Sequence, residues 1–115
     1  MSLTKAALLE KAQGKFAWVD DVPVFGTVGV RSCPQLESSM RWVTYTDQET
    51  GKIIPEERAK GPIHEIIDQI MLDETNPMFT DEDFDTLAAL DADKLAHLLT
   101  ALRTFNGRVE KKGSD

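Results

Sequence analysis

The sequence has few of the residues from which catalytic and metal sites are built. It contains a single cysteine, Cys33, so it can form neither an internal disulfide nor a cysteine-based zinc site. Its two histidines, His64 and His97, lack the spacing of a zinc hydrolase motif. We find no catalytic constellation, and we therefore expect a protein that is not an enzyme and binds no cofactor or metal.

Basic residues and long apolar runs are also scarce. Acids outnumber bases 20 to 13, which gives a net charge of −7. A chain of this sign is repelled by phosphate groups, so we expect no nucleic-acid partner and no attachment to anionic membranes. No apolar run exceeds four residues, whereas a membrane span needs about 20. The start of the chain lacks the pattern of a signal peptide, and we expect a cytoplasmic protein.

The remaining composition is typical of one globular domain. Hydrophobic residues make up 41% of the 115 positions, which is enough for an apolar core. Residues 4–13 predict a short helix and residues 15–31 a β-hairpin, and later amphipathic stretches predict about four more helices. The predicted fold is α+β and predominantly helical, in a single domain over residues 1–107. Because Gly107 is placed to end the last helix, residues 108–115 are predicted to be a disordered polar tail.

Apolar spacing and capping residues place the helices after the hairpin. Ser32 or Cys33 is predicted to cap a helix whose apolar side carries Leu36, Met40, Trp42 and Val43. A second helix, which ends before Asn76, is predicted from the i, i+3, i+4, i+7 spacing of Ile63, Ile66, Ile67 and Ile70. Side-chain caps are predicted at two later helix starts, by Asp83 with Thr80 and by Asp91.

Acidic residues are concentrated in one stretch. Residues 61–93 contain ten acids and no lysine or arginine. Aspartates alternate over residues 81–85 as in a calcium loop, but Thr86 stands where that loop needs glycine and Ala92 where it needs glutamate. We interpret the acids as N-cap and first-turn residues that favour the positive ends of helices.

Apolar surface is the remaining candidate for function. The chain has two tryptophans, one tyrosine and five phenylalanines, and tryptophan and tyrosine are enriched at the energetic centres of interfaces. Phe25, beside a glycine at the predicted hairpin tip, is the best candidate for an exposed contact. The edge of the hairpin could also pair with a second copy of the chain. The predicted contact residues are Trp18, Phe25, Val28, Val30, Trp42 and Tyr45.

Taken together, these segments resemble the tail assembly chaperones of long-tailed, siphovirus-type phages and prophages. The resemblance spans most of the chain. Residues 22–31 (Val-Pro-Val-Phe-Gly-Thr-Val-Gly-Val-Arg) are similar to the hairpin of that family, with Phe25 where a tryptophan is common. Residues 77–83 (Pro-Met-Phe-Thr-Asp-Glu-Asp) resemble its acidic helix start. Residues 105–107 (Phe-Asn-Gly) stand where the family usually has Leu-Asn-Gly.

The resemblance implies a non-enzymatic role in the cytoplasm of a bacterial host. Chaperones of this family coat the long tape measure protein before the tail tube polymerises around it, and they are absent from the mature virion. Copies that contact one another head to tail would form an open helical array. The family often makes a longer product by translational frameshifting, whose extension is proposed to recruit tail tube protein. The implied partners are therefore the tape measure protein, further copies of the chain and the tail tube protein.

Two other hypotheses stay open at this point. An acidic regulatory or inhibitor protein would bind a basic host partner through the stretch at residues 61–93, provided that its carboxylates form an exposed array. A small enzyme would need Cys33 and His64 in contact within a cleft, as a thiol–imidazole pair.

Overall fold

The computed structural model describes the backbone of residues 4–114 and the side chains of residues 4–106. A three-stranded antiparallel sheet is combined with helices, which confirms the predicted α+β fold class. The helices are α1 (Lys5–Lys11), α2 (Gln35–Thr44), α3 (Pro55–Arg58), α4 (Gly61–Gln69), α5 (Phe84–Ala88) and α6 (Ala92–Ser114), and a 3₁₀ turn spans Asp81–Asp83. The strands are β1 (Phe16–Val22), β2 (Gly26–Arg31) and β3 (Ile70–Met71). Five helices thus follow the hairpin within residues 4–114, against about four predicted, and α3 is a single turn.

Strands β1 and β2 form the predicted antiparallel hairpin. Phe16 faces Arg31 and Val19 faces Val28, and the register then shifts by one residue before Val22. Such a β-bulge bends the strand and increases its twist. The regular part of β1 is therefore its first half.

A tight turn closes the hairpin. The amide of Phe25 donates to the carbonyl of Val22 at 3.1 Å, with Pro23 and Val24 between them. Val24 has a φ of 74°, and proline followed by a residue of positive φ matches a type II turn. A β-branched residue rarely adopts this left-handed conformation, so the exposed tip of the hairpin stores local backbone strain.

The third strand is not predicted by the sequence. Strand β3 pairs antiparallel with β2, and Ile70 lies opposite Val30. The isoleucine spacing predicts one helix through this region, and that prediction is wrong beyond Gln69, where α4 ends. Ile70 is buried, as the helical spacing requires. A strand buries the same side chain at this point, so the apolar pattern does not reveal the change from helix to strand.

The core lies between one face of the sheet and the helices α4 and α6. Successive side chains of a strand point to opposite faces, and the core face of the hairpin carries Val19, Val28 and Val30. The two helices contribute Ile66, Ile67, Leu95, Leu98, Leu102 and Phe105, which confirms the predicted apolar side of α4. Phe79 and Phe84, on either side of the 3₁₀ turn, pack against this cluster.

Two of the predicted caps are confirmed. A carboxylate oxygen of Asp83 accepts from the amide of Thr80 at 2.8 Å, and Asp91 accepts from the amide of Asp93 at 2.8 Å. Each bond satisfies an amide that lacks a partner at a helix start. These caps fix the starts of the 3₁₀ turn and of α6.

The predicted cap of α2 is wrong. The hydroxyl of Ser32 accepts instead from the amide of Lys15, at 2.8 Å, and so ties the two ends of the hairpin together. Pro34 occupies the N-cap position of α2 and makes no side-chain bond there. The amide of Lys15, distant in sequence, therefore binds the Ser32 hydroxyl that the local sequence predicts as a helix cap.

Helix α6 continues past Gly107 and runs to Ser114. The prediction that Gly107 ends the helix is therefore wrong, whereas that of a disordered polar tail at residues 108–115 stays a prediction. Glycine inside a helix costs about 1 kcal/mol relative to alanine, and the arginine, glutamate and lysines that follow are good helix formers. Residues 1–3 of the predicted domain and Asp115 of the predicted tail lie outside the described residues.

Candidate interaction surfaces

Helix α2 presents its polar side to the domain. The guanidinium of Arg41 donates through Nε and Nη2 to both carboxylate oxygens of Asp68 on α4, at 3.0 and 2.9 Å. The same guanidinium also binds Asp81. Nearer the start of the helix, Glu37 accepts from Arg31 of β2 at 3.1 Å. Charged contacts therefore hold α2 in place.

The contact between Arg41 and Asp68 is the least exposed ion pair among the described residues, with side chains 23% and 14% exposed. A bidentate guanidinium–carboxylate contact combines two parallel charge-assisted hydrogen bonds with a defined geometry. Hydrogen bonding to Asp68 raises the pKa of Arg41, against the opposing effect of burial. Arg41 therefore stays a cation and fixes the orientation of α2.

The opposite side of α2 carries an apolar stripe, Leu36, Met40 and Val43, that faces solvent. These residues follow at i, i+4 and i+7 and so share one side of the helix. They are 74%, 62% and 49% exposed, and α2 contributes no buried residue. An amphipathic helix ordinarily buries its apolar side. Helix α2 is inverted with respect to the domain, because its apolar side faces solvent and its polar side faces the domain. Contiguous exposed apolar surface marks an interaction site.

A cleft of about 610 Å³ separates α2 from α4. Both of its walls carry charged and aromatic side chains, and they include Arg41, Trp42, Tyr45, Arg58, His64 and Asp68. The cleft exists because the long side chain of Arg41, rather than close apolar packing, holds α2 to α4.

The thiol–imidazole pair of the small-enzyme hypothesis is not formed in this cleft. Cys33 and His64 both line it, but the thiol contacts the carbonyl of Pro34 at 3.7 Å and the imidazole contacts Tyr45. Burial raises the pKa of Cys33, and the nearby charge of Asp68 raises it further. The thiol is therefore protonated near neutral pH and is a weak nucleophile.

His64 stands in an aromatic stack at the side of the cleft. Its ring is stacked on that of Tyr45, with centroids 5.7 Å apart, and it contacts the ring of Phe84 at 5.2 Å. The hydroxyl of Tyr45 lies 2.6 Å from Nδ1 and shares a hydrogen bond with it. Burial lowers the pKa of His64, and the guanidinium of Arg41 lowers it further.

Acidification is expected to destabilise the protein through His64. The unfolded chain, in which this histidine has its ordinary pKa of about 6.5, takes up a proton before the folded chain does, because the folded pKa is lower. The stability contributed by the neutral ring is complete above about pH 6.5 and is lost as the pH falls through the lowered folded pKa.

We therefore expect His64→Asn to show a smaller fall in Tm between about pH 7.5 and about pH 5 than the parent chain. His97→Asn, on α6, serves as the control and should keep the parent pH dependence. A pH dependence that is equally steep in both variants would contradict this account of His64.

A second candidate surface lies on the face of the sheet away from the core. The rings of Phe16 and Trp18 meet edge to face at 5.2 Å. Both lie over Gly29 of the neighbouring strand, where an added Cβ would come within 3.1 Å of the Trp18 ring and 3.3 Å of the Phe16 ring. Glycine at this position makes room for the aromatic pair, and Trp18 stays 50% exposed.

The chain matches no family model, no curated protein and no solved structure. No helix that the structure describes is long and apolar enough to cross a membrane. The two surfaces are therefore interpreted from their own geometry and from the sequence resemblance.

The structure divides the predicted contact residues into two groups. Three side chains are exposed, those of Trp18, Phe25 and Trp42. Three are buried, those of Val28, Val30 and Tyr45. The buried three offer no surface to a partner in this fold, and a contact role for the exposed three stays a prediction. Alternation along β2 turns both valines to the core, and the tyrosine stacks on His64.

The residues that sequence reasoning missed as a contact surface are those of the apolar stripe of α2. Their common side of the helix is readable from the spacing. The direction in which that side points depends on the contact between Arg41 and Asp68, which are 27 positions apart. No local signal carries that information.

Several carboxylates of the acidic stretch are engaged within the chain. Asp68 and Asp81 bind Arg41, and Asp73 accepts hydrogen bonds in a turn, where the side chain of Asn76 lowers its pKa. Among the side chains of residues 4–106, no three His, Cys, Asp or Glu lie close enough together to hold a metal ion. Of these three acids only Asp81 stands in a first helical turn, as interpreted from the sequence; Asp68 makes a tertiary contact and Asp73 stabilises a turn.

Proposed function

We propose that this protein is a non-enzymatic chaperone of phage tail assembly, which coats the tape measure protein before the tail tube polymerises. The observation that carries the proposal is the apolar stripe of α2, which faces solvent while Arg41 on the other side anchors the helix to α4. The sequence resemblance to tail assembly chaperones supports the choice of partner.

The geometry of α2 suits a helical partner. Apolar residues at i, i+4 and i+7 form a ridge that packs against the apolar side of another helix. A tape measure protein is a long and largely helical chain, so it offers such sides repeatedly. One stripe of three residues gives weak binding, and many copies along one chain would bind by avidity. Trp42, 48% exposed near the end of α2, adds a residue type enriched at binding hot spots.

The charge of the chain suits a subunit that is used in many copies. A net charge of −7 opposes non-specific aggregation and keeps free copies in solution. The proposed place of action is the cytoplasm of the bacterial host, and the mature virion would lack the protein. A longer, frameshifted product would add the contact with tail tube protein.

Co-expression with the tape measure protein of the same phage tests the proposal. The parent chain should keep the tape measure protein soluble and co-purify with it. The double variant Leu36→Ser/Met40→Ser removes two exposed apolar side chains without touching the core. We expect it to reduce the co-purified tape measure protein by about tenfold or more, because the lost contacts are repeated along the array.

The matched control is Leu72→Ser/Met78→Ser, which removes a half-exposed leucine and a half-exposed methionine away from α2. It should leave co-purification at the parent level. A tape measure protein that is equally soluble without this chain, with no complex recovered, would show the proposal to be wrong. Equal losses in both double variants would show that α2 is not the binding surface.

A further inference from the structure

The outer edge of β1 carries backbone groups that the sheet does not use. Facing residues of an antiparallel pair alternate between hydrogen-bonded and non-hydrogen-bonded pairs. The amide of Ser32 donates to the carbonyl of Lys15 at 2.9 Å, so Lys15 belongs to the hydrogen-bonded set. Phe16 and Trp18 then belong to the other set, and their amides and carbonyls point away from β2.

The two edges of the sheet differ. At the far edge, the chain after β3 folds back and pairs with it: the amide of Met78 donates to the carbonyl of Ile70, and that of Leu72 to the carbonyl of Asn76. No strand among residues 4–114 pairs with the outer edge of β1. An open edge is a template for another strand.

The charges at the ends of this edge favour one orientation of an added strand. Lys15 precedes β1, whereas Asp20 and Asp21 stand near its end, and all three are exposed. Lys15 and Asp21 form no ion pair with the side chains of residues 4–106. A second β1 strand laid antiparallel would bring each lysine towards the partner's aspartates, and a parallel one would bring like charges together.

The aromatic pair lies beside the same edge. Antiparallel pairing about a two-fold axis near Trp18 would place Trp18 of one copy opposite Trp18 of the other, with each Phe16 diagonal to the partner's indole, on the same face of a joined sheet. The half-exposed indoles would then be covered, and aromatic side chains contribute large apolar areas to interfaces. The β-bulge after Val19 bends the strand and so confines the pairing to a short segment centred on Trp18.

We propose that two copies of this chain associate through antiparallel pairing of their β1 strands, about a two-fold axis near Trp18. This pairing goes beyond the proposed function and rests on that function only for its biological purpose. A two-fold contact is closed, so an open array would use the dimer as its unit and a second, different contact between units.

Amide hydrogen exchange of the full chain alone, followed by NMR, tests the geometry. Across about a hundredfold range of concentration, mass action should increase the protection of the Phe16 and Trp18 amides. The amides of Ala17 and Val19, which face β2, should be protected at every concentration. Rapid exchange of the Phe16 and Trp18 amides at all concentrations would overturn the proposal. Protection that appears only when tape measure protein is added would assign the edge to that partner instead.

Charge variants test the orientation by analytical ultracentrifugation. Lys15→Glu places acidic groups at both ends of the edge. Because the two-fold axis repeats the altered contact, the variant should raise the dimer Kd about fivefold to tenfold. Lys52→Glu makes the same change of charge in the loop between α2 and α3 and should leave the Kd near that of the parent. Equal effects of the two variants on the dimer Kd would show that net charge alone causes them, and would overturn the antiparallel pairing.

A third pair of variants tests the aromatic contact. Trp18→Lys places a charge on the edge, as natural edge strands do, and should give a monomer. Trp42→Lys makes the same substitution at a similarly exposed tryptophan on α2 and should leave the dimer intact. Circular dichroism establishes that both variants fold. A parent chain that is monomeric throughout, or a Trp18→Lys variant that still dimerises, would overturn the proposal.

Discussion

Arg41→Ala is expected to lower the free energy of unfolding by about 2–3 kcal/mol and to loosen α2. The variant removes both hydrogen bonds to Asp68, whose side chain is only 14% exposed, and leaves that carboxylate with no cation. Removing one partner of a partly buried ion pair lowers the free energy of unfolding by more than the pair contributes, because the other charge stays partly buried without a partner. Urea unfolding gives the free energy, and amide exchange along α2 reports the loosening.

Two further variants show whether the guanidinium geometry is the cause. Arg41→Lys keeps the charge but not the bidentate contact, so its loss of stability should be intermediate. Arg103→Ala makes the same truncation at an exposed arginine on α6 and should change stability by less than about 0.5 kcal/mol. If Arg41→Ala were as mild as Arg103→Ala, α2 would have to be held by something other than this ion pair.

Gly29→Ala is expected to lower the free energy of unfolding by about 1–3 kcal/mol, although it adds a single methyl group. The new Cβ would lie 2.8 Å from the carbonyl oxygen of Met71 and 3.1 Å from the ring of Trp18. The carbonyl belongs to the backbone of β3, which pairs with Gly29 itself, so it cannot withdraw without breaking the sheet. Thermal and urea unfolding both measure the loss.

The matched control is Gly61→Ala, at the start of α4. A Cβ there meets the Nη1 atom of Arg58 at 2.5 Å, but this atom is the end of a flexible side chain and can move. Alanine also favours a helix over glycine by about 1 kcal/mol. Pro62 disfavours a helical residue with a Cβ directly before it, so we expect Gly61→Ala to be near neutral and much milder than Gly29→Ala. Equal destabilisation by the two glycine variants would show that the contact with β3 is not what makes Gly29 necessary.

The inversion of α2 connects stability with the proposed function. An apolar stripe on the solvent side adds nothing to the core, so the helix depends on the contacts of Arg41 and Glu37 with α4, β2 and the 3₁₀ turn. A partner helix that covers the stripe would supply the missing apolar burial. Tape measure binding should therefore protect the amides of α2 from exchange.

Local patterns in the sequence determined much of this fold. The caps at Asp83 and Asp91 and the apolar sides of α4 and α6 each depend on residues within a few positions of one another. Interactions over so short a range leave their signature in consecutive residues. The sequence also determined the acidic surface charge and the single cysteine. These features limit the sites that the chain can build.

The tertiary structure alone decided where those elements face. Strand β3 exists because Ile70 pairs with Val30, which is 40 positions away. The apolar spacing alone does not reveal that helix α4 changes to a strand at this point. The orientation of α2 was decided by Arg41 reaching Asp68, which turned a stripe that reads as core towards solvent. Periodicity shows that a helix has two sides. Only the long-range contacts, which no window of sequence contains, choose the side that is buried.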